Sequence, residues 1–194
     1  EKSGSTVIFQ SKMAQAVEML CSVAAHFANM PVLVVTDSWF GNDGLLRPLN
    51  ESEYPFDILS RLRSNITLYD LPPQRLPHQR GRSRKYGAKL GAVSELAAHR
   101  REQPQAVSVF LYGKRREVSA YEQVVMLKNL RCPARVVWVF RKTQWVALFT
   151  TDLALSVQQI IEYYGARWKI ESGFKEIKQE IGSAHTQTRN PDAV

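Results

Sequence analysis

Residues 11–29 place Met13, Val17, Leu20, Val23, Ala24 and Phe27 at helical spacing, which predicts an amphipathic helix closed by Pro31. Val32 to Val35 form a short β-branched run, the mark of a buried, central strand, which ends at Thr36-Asp37. Gly41 and Gly44 supply a turn, and Leu45, Leu46 and Leu49 a short helix. Phe56 to Arg63 alternate as a second strand. From Leu71 to Lys89 the pattern dissolves into Pro72, Pro73 and Pro77 among arginines and lysines, which predicts a basic loop or arm. A short helix is expected at Ser94–Arg101. Four runs follow, Val107–Tyr112, Glu117–Met126, Arg135–Arg141 and Trp145–Thr151, with turns at Gly113-Lys114 and Lys142-Thr143. Ser156 can cap a last, long helix from about Val157 to Ile181, ended by Gly182.

The first half therefore reads as α/β, and the β-rich block between it and the last helix reads as an insertion. The expected division is residues 1–65, a basic loop and β-rich insertion over 66–152, and residues 153–194. A chain of 194 residues with 44% hydrophobic and 23% charged positions can build a proper core. No apolar run is long enough to cross a bilayer, and Glu1 to Ser5 lack a secretory pattern, so a cytoplasmic protein without a membrane partner is expected. Cys21 and Cys132 form no CxxC pair, and the four histidines form no i, i+4 pair. A disulfide framework, a thiolate zinc site and zinc hydrolase chemistry all lack support. The formal net charge of +8 suits a polyanion, because neutralising phosphates releases counterions.

The last helix carries Tyr164, Arg167, Glu171 and Lys178. At about 100° per residue their side chains fall within roughly 60° of one another, so an aromatic, a carboxylate and two cations line one ridge. An ordinary i, i+4 ion pair between Arg167 and Glu171 accounts for part of this. A second carboxylate, Asp37, stands at the end of an apolar strand, where loops form ligand crevices.

Tyr164-Gly165-Ala166-Arg167-Trp168-Lys169-Ile170-Glu171, with Lys178 after six more residues, matches the motif Y-x2-R-x3-E-x6-K. The chain thereby resembles cut-and-paste DDE transposases of the insertion-sequence four type. Asp37-Ser38-Trp39-Phe40-Gly41 is similar to the segment around that family's second catalytic Asp, and the stretch from Arg80 to Gly87 to a basic stretch of related transposases. The resemblance extends from about Val32 to Pro191. It implies an RNase H-like core, here incomplete at its N-terminus and interrupted by a β-rich insertion subdomain. It implies metal-dependent DNA strand cleavage and strand transfer, with two Mg²⁺ or Mn²⁺ ions about 3.5–4 Å apart. Asp37 and Glu171 would be the second and third catalytic, metal-binding carboxylates. Tyr164, Arg167 and Lys178 would contact DNA near the cut, Trp138 or Trp145 could stack on a flipped base, and Arg82, Arg84 and Lys85 in the basic loop could bind DNA. Core packing is the commoner outcome for these tryptophans and for Trp168, and Arg61 and Arg63 could touch phosphate or simply be surface charge. The implied partners are double-stranded transposon ends and target DNA, with a homodimer assembled on them in a bacterial, nucleoid-associated setting.

The family's first Asp has no counterpart, since only Glu1 and Glu18 precede Asp37. The expectation is therefore a truncated chain. A non-catalytic DNA-binding remnant and a nuclease of the same superfamily stand as alternatives.

Overall fold

The computed structural model describes residues 9–27, 30–75, 78 and 80–180. Among the described residues, eight strands form one sheet in the order β1-β2-β8-β7-β6-β3-β4, with β5 paired to β6. The strands are β1 (Val32–Thr36), β2 (Phe56–Leu62), β3 (Thr67–Tyr69), β4 (Lys89–Ala92), β5 (Gln105–Leu111), β6 (Lys114–Leu127), β7 (Cys132–Arg141) and β8 (Gln144–Thr150). Only β1 and β2 run parallel; every other pairing is antiparallel. The helices are α1 (Lys12–Ala24), α2 (Asp43–Asn50), α3 (Val93–Arg100), α4 (Val157–Ala166) and α5 (Trp168–Glu180).

Alternation along the strands divides the core into two. Ile58, Val136, Trp138 and Phe149 point to one face, where Ala24 of α1, Leu45, Leu46 and Leu49 of α2, and Val93 and Leu96 of α3 cover them. Leu59, Val137 and Leu148 point to the other face, against Ile160 and Ile161 of α4. Each isoleucine buried there contributes about 1.5–3 kcal/mol. Ser156 starts α4 as expected: its Oγ accepts from Gln159 N at 3.2 Å, and Gln159 Oε1 accepts from Ser156 N at 2.9 Å.

Four expectations need correction. First, β1 is not central: among the described residues it pairs with β2 alone, and only Val34 is buried. Second, β3 and β4 bracket the basic loop, and neither stood out from the sequence. They are short, and their partners are remote: β3 pairs with the end of β6, at Leu68↔Leu127. Third, Trp168 does not pack in the core; it is 49% exposed. Fourth, the long last helix is two helices, divided at Arg167. At the joint Arg167 N donates to Tyr164 O (3.3 Å) and Ile170 N to Arg167 O (3.1 Å), the tighter i→i−3 pattern of a 3₁₀ turn. Gly165 allows the close approach beside it, since a Cβ there would lie 2.3 Å from Leu111 Cδ2. The expected helix end at Ile181-Gly182 lies outside the described residues. Among the described residues no helix is long and apolar enough to cross a membrane.

Candidate active site

Asp37 follows the last residue of β1, and its neighbours fix it from three sides. Its Oδ1 accepts from Trp39 N at 2.9 Å and Phe40 N at 3.3 Å, so the side chain closes its own turn. Its carbonyl accepts from Gly41 N at 3.3 Å and from Ser60 Oγ at 2.6 Å. Gly41 is required by that closeness: a Cβ there would lie 2.5 Å from Ser60 Oγ. Asp37 Oδ2 has no hydrogen-bond partner among the described residues and stands at an exposed position. The sequence reading missed Ser60. It is a buried hydroxyl in the row Phe56, Ile58, Ser60, Leu62, and that one polar position in an apolar row was the available signal.

A cavity of about 450 Å³ opens beside Asp37. Thr36, Asp37 and Phe40 line one side, Met19 and Val23 of α1 another, and Arg167 and Ile170 a third. The α4–α5 joint is thus brought to the end of β1. Arg167 Nη1 donates to Glu171 Oε1 at 3.0 Å, an i, i+4 pair that leaves Oε2 without a partner among the described residues. The Arg167 guanidinium lies 5.6 Å from the Tyr164 ring centre and 6.0 Å from that of Trp168. Partial desolvation works against the charge of Arg167, but the hydrogen bond and charge of Glu171, with Tyr164, outweigh it and raise the pKa further. Arg167 is therefore a permanent cation. Two polar atoms at this cavity, Thr36 Oγ1 and Arg167 Nε, are buried without a hydrogen-bond partner.

The residues present fit a divalent ion in part. Hard cations take carboxylate oxygens, and Asp37 and Glu171 each keep one uncommitted. Among the described residues no group of three or more His, Cys, Asp or Glu side chains is gathered for a metal.

A groove opens beside Ser38, the residue after Asp37. Ser38, Arg61, Arg63, Asn65 and Trp145 line it, so Trp145 stands beside two arginines and a hydroxyl. Trp138 does not: it is 0% exposed, and its indole N–H donates to Val93 O at 3.2 Å. A tryptophan held in that way is a core anchor and cannot stack on DNA. Tyr164 is half-buried, with its ring packed against the α4 side of the core. Arg82 and Arg84 line a separate pocket with Arg75 and Arg80, and Lys85 is exposed in the same loop. Lys178 lies on α5, but its side chain is outside the described residues.

A family model described as a transposase DDE domain matches residues 11–194. Comparison with curated proteins gives no match.

Proposed function

We propose, from the premise that this chain belongs to the transposase DDE domain family, that Asp37 and Glu171 are two of its catalytic carboxylates in DNA strand cleavage and strand transfer. The supporting observation is the cavity that joins Asp37 to Arg167, the residue that holds Glu171. Transposases of this family act on DNA and generally use divalent metal ions. In this reading Asp37 Oδ2 and Glu171 Oε2 would hold Mg²⁺, together with a third carboxylate from outside the described residues. Such ions activate the attacking water or 3′-hydroxyl and stabilise the leaving oxygen.

The chain's own residues set up that chemistry. The turn at Trp39-Phe40 restrains the Asp37 carboxylate through Oδ1 and directs its second oxygen outward. Arg167 steers Glu171 in the same way and sets a fixed positive charge beside a phosphate. Tyr164 packs beneath that charge. Arg61, Arg63 and Ser38 would carry the strand's phosphates past Asp37, with Trp145 as the ring available for an unstacked base. The division into an RNase H-like core of the insertion-sequence four type and a β-rich insertion over 66–152 belongs to this reading, as do Lys178 and the basic loop as DNA contacts and a dimer assembled on two DNA ends.

The test uses plasmid DNA carrying the sequences that flank this protein's own gene, with Mg²⁺ added. Glu171→Gln and Asp37→Asn should each lower strand cleavage by about a hundredfold or more, while DNA binding remains within a fewfold. Cleavage that survives either change removes the assignment. Cleavage without joining to a target would make the chain a nuclease; binding without cleavage in the unsubstituted protein would make it a DNA-binding remnant.

A further inference from the structure

The β5–β6 hairpin ends in a feature that the fold does not need. Its two-residue turn, Tyr112-Gly113, links the paired residues Leu111 and Lys114, with φ of 53° and 76°. Such turns favour Asn-Gly, because both central residues take positive φ. A bulky residue there is strained, and Tyr112 recovers nothing by packing, since it is 63% exposed. Strain held at an exposed aromatic points to a use outside the fold.

The surroundings define that use. A groove of about 720 Å³ runs between the hairpin tip and the α4–α5 joint, with Phe110 and Tyr112 on one wall and Trp168, Lys169 and Ser172 on the other. Phe110 is 58% exposed. Lys114, Arg115 and Arg116 leave the turn in succession, all exposed. Arg115 lies opposite Phe110 in register and so shares its face, and the Arg116 guanidinium stands 6.0 Å from the Tyr112 ring centre. One acid, Glu162, lines the groove, and it is already engaged: Oε1 accepts from Phe110 N at 2.6 Å and from Gln158 Nε2 at 3.0 Å. Those bonds, and the contact of Leu111 with Gly165, clamp the hairpin to the helix. The result is a cleft with the exposed rings of Tyr112 and Trp168 at its edges, Lys169 in its lining, and Lys114, Arg115 and Arg116 on the hairpin beside it.

Rings interleaved with Lys and Arg bind single-stranded nucleic acid, because every base offers a face to stack and every nucleotide a phosphate to neutralise. We infer that the groove between the Tyr112 turn and Trp168 is a stacking site for an unpaired stretch of DNA. The site takes Trp168, Lys169 and Ser172, whereas the Asp37 cavity takes Arg167 and Ile170 of the same segment, so the two lie on different flanks of it. The inference rests on the chain acting on DNA, and it adds a second contact that holds the separated strand away from the carboxylates.

The test is fluorescence anisotropy with labelled oligothymidylate and with a duplex of equal length, using the full chain. Tyr112→Asn suits the positive φ, so the turn survives while the ring is lost. Tyr112→Asn and Trp168→Ala should each weaken oligothymidylate binding by about tenfold and duplex binding by less than about twofold. Equal losses on both DNAs, or no loss on either, overturn the inference. So does a change in sedimentation with unaltered DNA binding, which would make the patch a protein contact. Failure here, alongside cleavage that still depends on Glu171, leaves the proposed function standing; an unsubstituted chain that binds neither DNA overturns both.

Discussion

α4 and α5 follow one another across a single residue, yet they are held in opposite ways. α4 is capped by Ser156 and Gln159 and buries Ile160 and Ile161 against the sheet. α5 has none of its described side chains buried, and it exposes Ile170, Phe174 and Ile177, which recur at helical spacing. The motif straddles the joint. Tyr164 belongs to the anchored helix, Glu171 to the unburied one, and Arg167 at the joint is ion-paired to Glu171. A site built in this manner sets its cation by packing and its carboxylate through that cation. Stability and chemistry should therefore respond to different substitutions within one short stretch.

The contrast is broken most directly by truncation. Ile160→Ala should cost about 2–5 kcal/mol in urea unfolding, the usual loss for a buried aliphatic side chain. Phe174→Ala, at a side chain that is 60% exposed, should stay within about 0.5 kcal/mol. A Phe174 loss as large as that of Ile160 would mean α5 is covered in solution, and the comparison would fail. A smaller effect sharpens it. Glu171→Gln removes an exposed i, i+4 ion pair, worth about 0.3–0.5 kcal/mol, so its urea midpoint should scarcely move while cleavage disappears. A large shift in midpoint would make Glu171 a structural residue.

The smallest effect concerns the hairpin docked on α4. The backbone N–H of Phe110, helped by Gln158, lowers the pKa of Glu162 below its ordinary value of 4.5. A depressed carboxylate contributes while it is ionised in both states. The docking is therefore fully supported above about pH 4.5 and is lost as the pH falls through the lower folded value. Protection of the Phe110 amide, its exchange relative to the intrinsic rate at each pH, should fall only in that acid range, and Glu162→Gln should remove that fall. Protection that is flat with pH in the unsubstituted chain would show that the bond does not hold the hairpin.

Much of the anchored half was legible in the sequence. Ser156 and the apolar period after it give the start of α4, and Asp37 after a β-branched run gives the turn that holds it. The rest depended on remote contacts. The break at Arg167 accompanies the approach of Leu111, far away in the chain, to Gly165. β3 and β4 are too short for a period to show. Between the two candidate tryptophans, distance from a turn decides. Trp138 sits mid-strand with apolar neighbours on both sides, whereas Trp145 is the second residue of β8 and reaches the groove at the sheet's end. Core packing is the commoner outcome for a tryptophan, but the helix that carries Trp168 turns no described side chain inward.

The pairing of β2 with β8 also dictates an order of assembly. β2 and its parallel neighbour β1 are contiguous apart from α2, but β2 finds its antiparallel partner only after β3 through β7 have been made. Closing so long a loop is entropically slow, and pairings of high sequence separation limit the folding rate. α4 docks on Leu59 and Leu148, one from each of these two strands, so its seat exists only once they have met. Arg167 and Ile170 at the α4–α5 joint would then reach the end of β1 only in the last step of folding, so the cavity beside Asp37 closes late.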